Sequence, residues 1–191
     1  MRYQMHQGFV DIEKINPRIL LDIRYATDNN FLGRAMYSIP KCFLRKEPAE
    51  KLDLVQKFLE KKGLGIKVFD GYRPLSIQKE FWSFLPDDRY IANPAIGSRH
   101  NRGAAVDLTL VDKHGNELTM PTPFDDFTEK AHRTCKDLSK EELNNSLLLE
   151  EVMLQFGFTS LETEWWHFDF KGWDSFPVLD ISLEEFDRCL N

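Results

Sequence analysis

Apolar and polar positions alternate along Ala105–Leu110, with Val106, Leu108 and Leu110 on one face and Ala105, Asp107 and Thr109 on the other. That two-residue period predicts a strand. Leu64–Phe69 follows Gly63 and alternates through Ile66 and Val68, predicting a second strand. The apolar, β-prone stretch Ile19–Tyr25 and the aromatic run Glu164–Phe170 predict two more. Helical spacing lies between them. Pro48–Lys62 puts Leu52, Val55, Phe58 and Leu59 on one stripe, with Pro48 suited to the first turn and Gly63 to the stop. Ser76–Phe84 follows Pro74, with Ser76 as the expected N-cap. Glu142–Phe156 is apolar at Leu143, Leu147, Leu148, Val152 and Leu154 and stops at Gly157. Ser182-Leu-Glu-Glu185 matches a capping box for a final short helix.

Strands and helices do not alternate in a strict βαβ rhythm. The pattern predicts an α+β fold, one compact domain over residues 1–191 with helices packed around a mostly antiparallel sheet. Residues 111–140 are polar and rich in Pro, Asp and Lys; so long a connection in a compact domain is often functional.

The 191 residues suffice to bury a core, and fifteen Phe and four Trp supply much of its area. A net charge of -6 lacks the basic excess of a nucleic-acid binder. No apolar run is long enough to span a bilayer, so no membrane is expected as partner. Gln4, His6, Gln7, Asp11, Glu13 and Lys14 interrupt any signal-peptide core, which predicts a cytoplasmic protein, or a periplasmic one if a leader has been removed. The three cysteines, Cys42, Cys135 and Cys189, are widely spaced and read as reduced, partly buried thiols.

Candidate chemistry concentrates in three places. In Ser98-Arg-His100-Asn-Arg-Gly103-Ala-Ala-Val-Asp107 a histidine leaves a loop, a glycine permits a tight turn, and a carboxylate projects from a strand face. Zinc takes such mixed ligand sets, at about 2.0–2.1 Å from imidazole nitrogen and about 2.0–2.2 Å from carboxylate oxygen. In Glu164-Trp-Trp-His167 the histidine can supply a third ligand, leaving the fourth position to water, and the glutamate can take that water's proton. Positions three apart on an ideal strand face opposite ways, so Glu164 and His167 converge only if the chain bends. In Asp70-Gly71-Tyr72-Arg73-Pro74 a strand-to-helix turn would aim Arg73 at the oxyanion of a tetrahedral intermediate. Taken singly, His100 and Asp107 read first as structural or solvent-exposed, Arg73 also as an exposed turn charge, Glu164 as a rim carboxylate, and Trp165 and Trp166 as core. His6, His114 and His132 read as solvated, as do Asp87-Asp88 and the charged run before Glu142.

Together the motifs resemble the D-alanyl-D-alanine dipeptidase family, which includes the vancomycin-resistance-type zinc dipeptidases. The family's Ser-x-His-x-x-Gly-x-Ala-x-Asp signature is met by Ser98, His100, Gly103, Ala105 and Asp107, its Glu-x-x-His element by Glu164 and His167, and its Asp-Gly-Tyr-Arg-Pro element by Asp70 to Pro74. An upstream Tyr-Ala-Thr-x-x-Asn-Phe element matches Tyr25 to Phe31. The resemblance implies one Zn2+ per chain held by His100, Asp107 and His167, with Glu164 as the base and Arg73 stabilising the transition state. It also implies that Tyr25 and Asp125 hold the substrate's free amino end and that Ser98 lies near the substrate. Where the family usually shows Met-Gly before Phe-Asp, this chain has Met120-Pro121-Thr-Pro-Phe124-Asp125, whose two prolines predict a reshaped loop.

The expected activity is therefore that of a zinc metallopeptidase cutting D-alanyl-D-alanine, a small dipeptide from peptidoglycan metabolism. By the same resemblance, D,D-carboxypeptidase or peptidoglycan endopeptidase activity on longer peptides is the alternative. A non-catalytic zinc module is a third reading, against which the presence of both Glu164 and Arg73 argues.

Overall fold

A computed structural model describes residues 8–190. In chain order the elements are β1 (Phe9–Asp11), α1 (Ile12–Ile15), β2 (Leu20–Leu21), β3 (Phe43–Arg45), α2 (Lys46–Glu60), β4 (Leu64–Asp70), α3 (Leu75–Phe84), β5 (Ala105–Asp112), α4 (Lys140–Gln155), β6 (Phe158–Leu161), β7 (Glu164–Phe170) and α5 (Leu183–Leu190). The main sheet has five strands in the order β2-β4-β5-β7-β6, and β1 and β3 form a small antiparallel ribbon beside it. This is the expected α+β architecture. Within the main sheet every pairing is antiparallel except β2 with β4, which is parallel. The β2–β4 connection carries β3 and α2, and parallel neighbours need such a long crossover.

The alternation read in Ala105–Leu110 holds, but both faces of β5 are covered: every residue from Ala105 to Val111 is buried. Helix α2 packs on β4 with Leu52, Val55 and Leu59 fully buried, and α4 packs on β6 with Leu149, Val152 and Met153 inward. The Ser139 hydroxyl accepts from the Glu142 N–H, and the Glu142 side chain returns to the Ser139 N–H, so a capping box starts α4 at Lys140, two residues before the expected Glu142. At the start of α5 the Ser182 hydroxyl accepts from the Glu185 N–H at 3.3 Å. Rings of Phe9, Phe43 and Tyr72 close around Phe186, which ties α5 to the ribbon. No helix of the described residues is long and apolar enough to cross a membrane.

Two local expectations are corrected. Of Ile19–Tyr25 only Leu20–Leu21 pairs in the sheet, and the chain then coils into a 3-10 turn at Arg24–Ala26. Strand propensity measures fit to a pleated surface, and here tertiary contacts outweigh it: Arg24 pairs with Asp22 at 2.7 Å and lies over the Phe69 ring. Helix α3 starts one residue earlier than expected, and Ser76 does not cap it. The Ser76 N–H instead donates to the Asp180 carboxylate at 2.8 Å.

Gly103 ends the 3-10 turn His100–Arg102 with φ +68, and a Cβ there would run into the Phe9 ring. Left-handed backbone costs a residue with a side chain about 1–2 kcal/mol, and overpacking a core about 1–3 kcal/mol more. Gly103→Ala is therefore expected to lower stability by roughly 2–5 kcal/mol, read from denaturant midpoints at unchanged m-value.

Candidate metal centre and active site

The register of the sheet brings the first residues together. Asp107 on β5 stands directly opposite His167 on β7, and Asp70 on β4 opposite Asp107, so these three side chains cross the sheet in one row. A bulge in β4 between Val68 and Asp70 precedes the Gly71–Arg73 turn. The second bulge solves the convergence problem of β7. Ser160 pairs with Phe168 but Leu161 with Glu164, so β7 bends between Glu164 and His167. The bend brings the Glu164 Oε2 to 3.9 Å from the His167 Nδ1. His100 enters from the 3-10 turn, where the Ser98 hydroxyl accepts the His100 N–H and the Asn101 side chain accepts the Ser98 N–H.

His100, Asp107 and His167 each offer a ligand atom, and these atoms lie within 4.8 Å of one another; all three residues are buried. The His100 Nδ1 lies 2.7 Å from the Gly71 carbonyl, which can only accept, so Nδ1 carries the proton and Nε2 presents a lone pair. The His167 Nε2 lies 2.9 Å from the Asp169 carboxylate, which fixes its proton there and leaves Nδ1 bare. The two bare nitrogens face each other at 3.2 Å, with Asp107 Oδ1 3.0 Å from the His167 Nδ1. Three lone pairs pointing at one another repel unless a cation sits between them. The field agrees. Burial opposes a positive charge on His167, yet Asp169 and Asp107 together hold its pKa well above the usual value. Burial likewise opposes the Asp107 carboxylate, but His100 and His167 keep its pKa below the ordinary range. A buried N₂O set with fixed tautomers fits zinc, and its geometry leaves room for a further ligand.

Around this centre lies a cavity of about 110 Å³. It is lined by every residue expected at the site: Tyr25, Arg73, Ser98, His100, Asp107, Asp125, Glu164 and His167. Burial pushes the Glu164 carboxyl up to about 8; His167 opposes that, and Asp107 and Asp125 add to it. Arg73 is clamped by Asp70, at 2.8 and 3.1 Å, and by Gln78 at 2.9 Å. Those bonds use three of its five N–H donors, and Arg73 also lines the cavity. Tyr37 in turn donates to Asp70. On another wall the Tyr25 hydroxyl donates to Asp125 Oδ1 at 2.9 Å, while Asp125 Oδ2 is buried without a partner. Burial raises the Asp125 carboxyl to about 7, and the Tyr25 bond opposes the shift. Asp125 has φ 62, the one positive value at a non-glycine among the described residues. Such strain gathers where a side chain must be aimed.

A family model described as D-ala-D-ala dipeptidase, peptidase M15, matches residues 5–180. The D-alanyl-D-alanine dipeptidase of Escherichia coli K12 is 35% identical over 170 residues, 89% of this chain and 88% of that protein. The chain belongs to the D-Ala-D-Ala dipeptidase family. The family's Enterococcus faecalis member is 31% identical over 86% of this chain and 92% of its own. Among solved structures, the vancomycin-resistance D,D-dipeptidase VanXYg, in complex with a D-Ala-D-Ala phosphinate analogue, superposes with TM-score 0.45 at 19% identity, over 94% of this chain and 74% of that one.

Several members of this dipeptidase site were not singled out from the sequence. Asp169 orients His167, and its position two residues on, along one strand face, is the signal that could have found it. Asp70 and Gln78 orient Arg73, and Asn101 donates to the Arg73 carbonyl at 2.8 Å. Trp166 is buried as expected and also lines the cavity with Phe127 and Tyr90. His114 is exposed, but His132 is half-buried with a ring nitrogen 3.0 Å from the Tyr90 hydroxyl, so its reading as solvated is corrected; His6 lies outside the described residues. Asp88 is exposed yet sits at the cavity mouth. Of the cysteines, Cys42 is buried, Cys135 half-buried and Cys189 exposed. Asp169→Asn removes the carboxylate that holds the His167 tautomer. It is expected to weaken zinc binding by about 10–100-fold in competition with a chromophoric chelator.

Proposed function

We propose that this chain is a zinc dipeptidase that hydrolyses D-alanyl-D-alanine to two molecules of D-alanine, with one zinc per chain held by His100, Asp107 and His167. The observation that carries the proposal is the pairing, in one small cavity, of the converging ligand set with the half-paired carboxylate of Asp125. A free dipeptide has an ammonium group at its amino end, and a blocked or longer peptide has none at that point. A buried carboxylate with one open oxygen favours the former and penalises the latter. An ammonium there also restores the ionised form of Asp125 that burial disfavours.

Zinc in such a site supplies Lewis acidity, polarising the scissile carbonyl and acidifying water. Glu164 takes the proton of the attacking water on its carboxylate and delivers it to the leaving amine. Arg73 faces the charge that develops on the carbonyl oxygen. Because Asp70 and Gln78 already hold the guanidinium, it needs no reorganisation at that moment. Tyr25 holds Asp125, and Ser98 supports the His100 turn while its side chain lines the cavity.

The direct test is hydrolysis of D-Ala-D-Ala beside L-Ala-L-Ala and N-acyl-D-Ala-D-Ala, with and without a chelator. Chelator-sensitive cleavage of the free D,D-dipeptide alone is expected. Cleavage of the acylated peptide would place the activity in the carboxypeptidase class instead. Glu164→Ala is expected to keep zinc at one per chain and to lose about 10²–10⁴-fold in kcat; a near wild-type kcat would remove Glu164 as the base. Asp125→Asn is expected to lower kcat/KM for D-Ala-D-Ala by about 10–100-fold, chiefly through KM, since a hydrogen bond to a charged group contributes about 1.5–3 kcal/mol.

A further inference from the structure

The bend in β7 that turns Glu164 toward the metal ligands interrupts the ladder to β6: Leu161 pairs with Glu164, and the next pairing is Ser160 with Phe168. Backbone groups at such a gap lose their strand partners and need others. One side chain, from the long segment between β5 and α4, spans the gap. The Arg133 Nε donates to the Leu161 carbonyl at 3.0 Å on the β6 side. Its Nη2 donates to the Trp165 carbonyl at 2.8 Å on the β7 side and lies 3.5 Å from the His167 carbonyl. The Arg133 backbone N–H adds a bond to the Glu162 carbonyl at 2.8 Å in the turn between them.

The guanidinium is itself held. It lies over the Phe168 ring at 4.7 Å, and its Nε is 3.7 Å from the Glu150 carboxylate on α4. The side chain is only 10% exposed. Leaving a buried cation here would be costly unless its donors were used, and they are used on the hairpin that carries the base. A planar fork can bridge carbonyls on two strands at once; a lysine ammonium is a single point on a flexible stem.

We propose that Arg133 is the positioning residue for this reaction: it pins the β6–β7 bulge and thereby sets the Glu164 carboxylate against the metal ligands. The inference rests on the reading of Glu164 as the base. It also joins two walls of the cavity, because Asp125 and Arg133 belong to the same segment, and that segment grips the hairpin through Arg133.

Arg133→Met and Arg133→Lys test it on the full-length, zinc-loaded protein. Both are expected to keep one zinc per chain and to lose about 10–100-fold in kcat on D-Ala-D-Ala, with KM changed less than about threefold, as for a reacting group displaced by its support. By hydrogen exchange, amides of residues 161–168 should exchange faster in both variants while those of β4 keep their protection. Glu150→Gln, which removes only the ion pair, is expected to leave kcat within about twofold, since an outlying charge pair contributes little. A folded Arg133→Met or Arg133→Lys protein with wild-type kcat, or unchanged exchange over 161–168, overturns the proposal. So does failure of both variants to fold, which would make Arg133 a support of the whole domain. Absence of turnover in the unsubstituted protein would instead overturn the dipeptidase reading, and the exchange measurement would still decide whether Arg133 pins the bulge.

Discussion

Two imidazole nitrogens and a carboxylate, turned toward one another, define the centre of this molecule. Their mutual repulsion is tolerable only around a cation, and the surrounding structure is arranged to keep them so. The Gly71 carbonyl holds one tautomer and Asp169 the other. Gly71 belongs to the turn that also delivers Arg73, and Asp169 to the strand that delivers His167. Each oriented ligand is thus a by-product of an element that carries a second functional group, and neither can shift alone.

The sheet supplies alignment and its irregularities supply direction. A regular ladder would have sent Glu164 and His167 to opposite faces. The bulges in β4 and between β6 and β7 break the period at the two places where the chain must turn side chains toward the cavity. The positive φ of Asp125 is a third departure of this kind. The strained Asp125 and two of the unpaired buried polar groups, on Arg99 and Asp125, border one small volume, as expected when local rules yield to function.

Much of this was legible in the residues themselves. The alternation through Asp107, the glycine after His100 and the aromatic strand before His167 each carried a local physical meaning, and the structure brings the expected site residues around one cavity. The bend demanded by Glu164 and His167 was legible as a requirement, but its mechanism was not. It depends on a pairing offset with β6 and on Arg133, which precedes the hairpin by about thirty residues. Gln78 and Asp169 were silent, and Asp70, though part of a matched element, gave no sign of its role, for the same reason: a carboxylate or amide that orients a neighbour looks, in sequence, like any other polar residue. Ile19–Tyr25 misled because its apolar character serves the cavity wall and the core rather than a long strand. Pro121 and Pro123 alter the loop sequence before Asp125, yet its carboxylate lies in the cavity, held by Tyr25.

The register that sets Asp107 opposite His167 also bears on how the protein is assembled. These partners are 60 residues apart in the chain, and His100 and His167 are 67 apart. No short segment emerging early in synthesis contains the full ligand set, and a strand slipped by one position would turn Asp107 to the far side of the sheet. Tight capture of a metal by these three residues would therefore wait until β5 and β7 have paired in the correct alignment. A zinc ion held by all three would add its binding free energy to the finished topology alone, and so would favour the correctly aligned sheet over a slipped one.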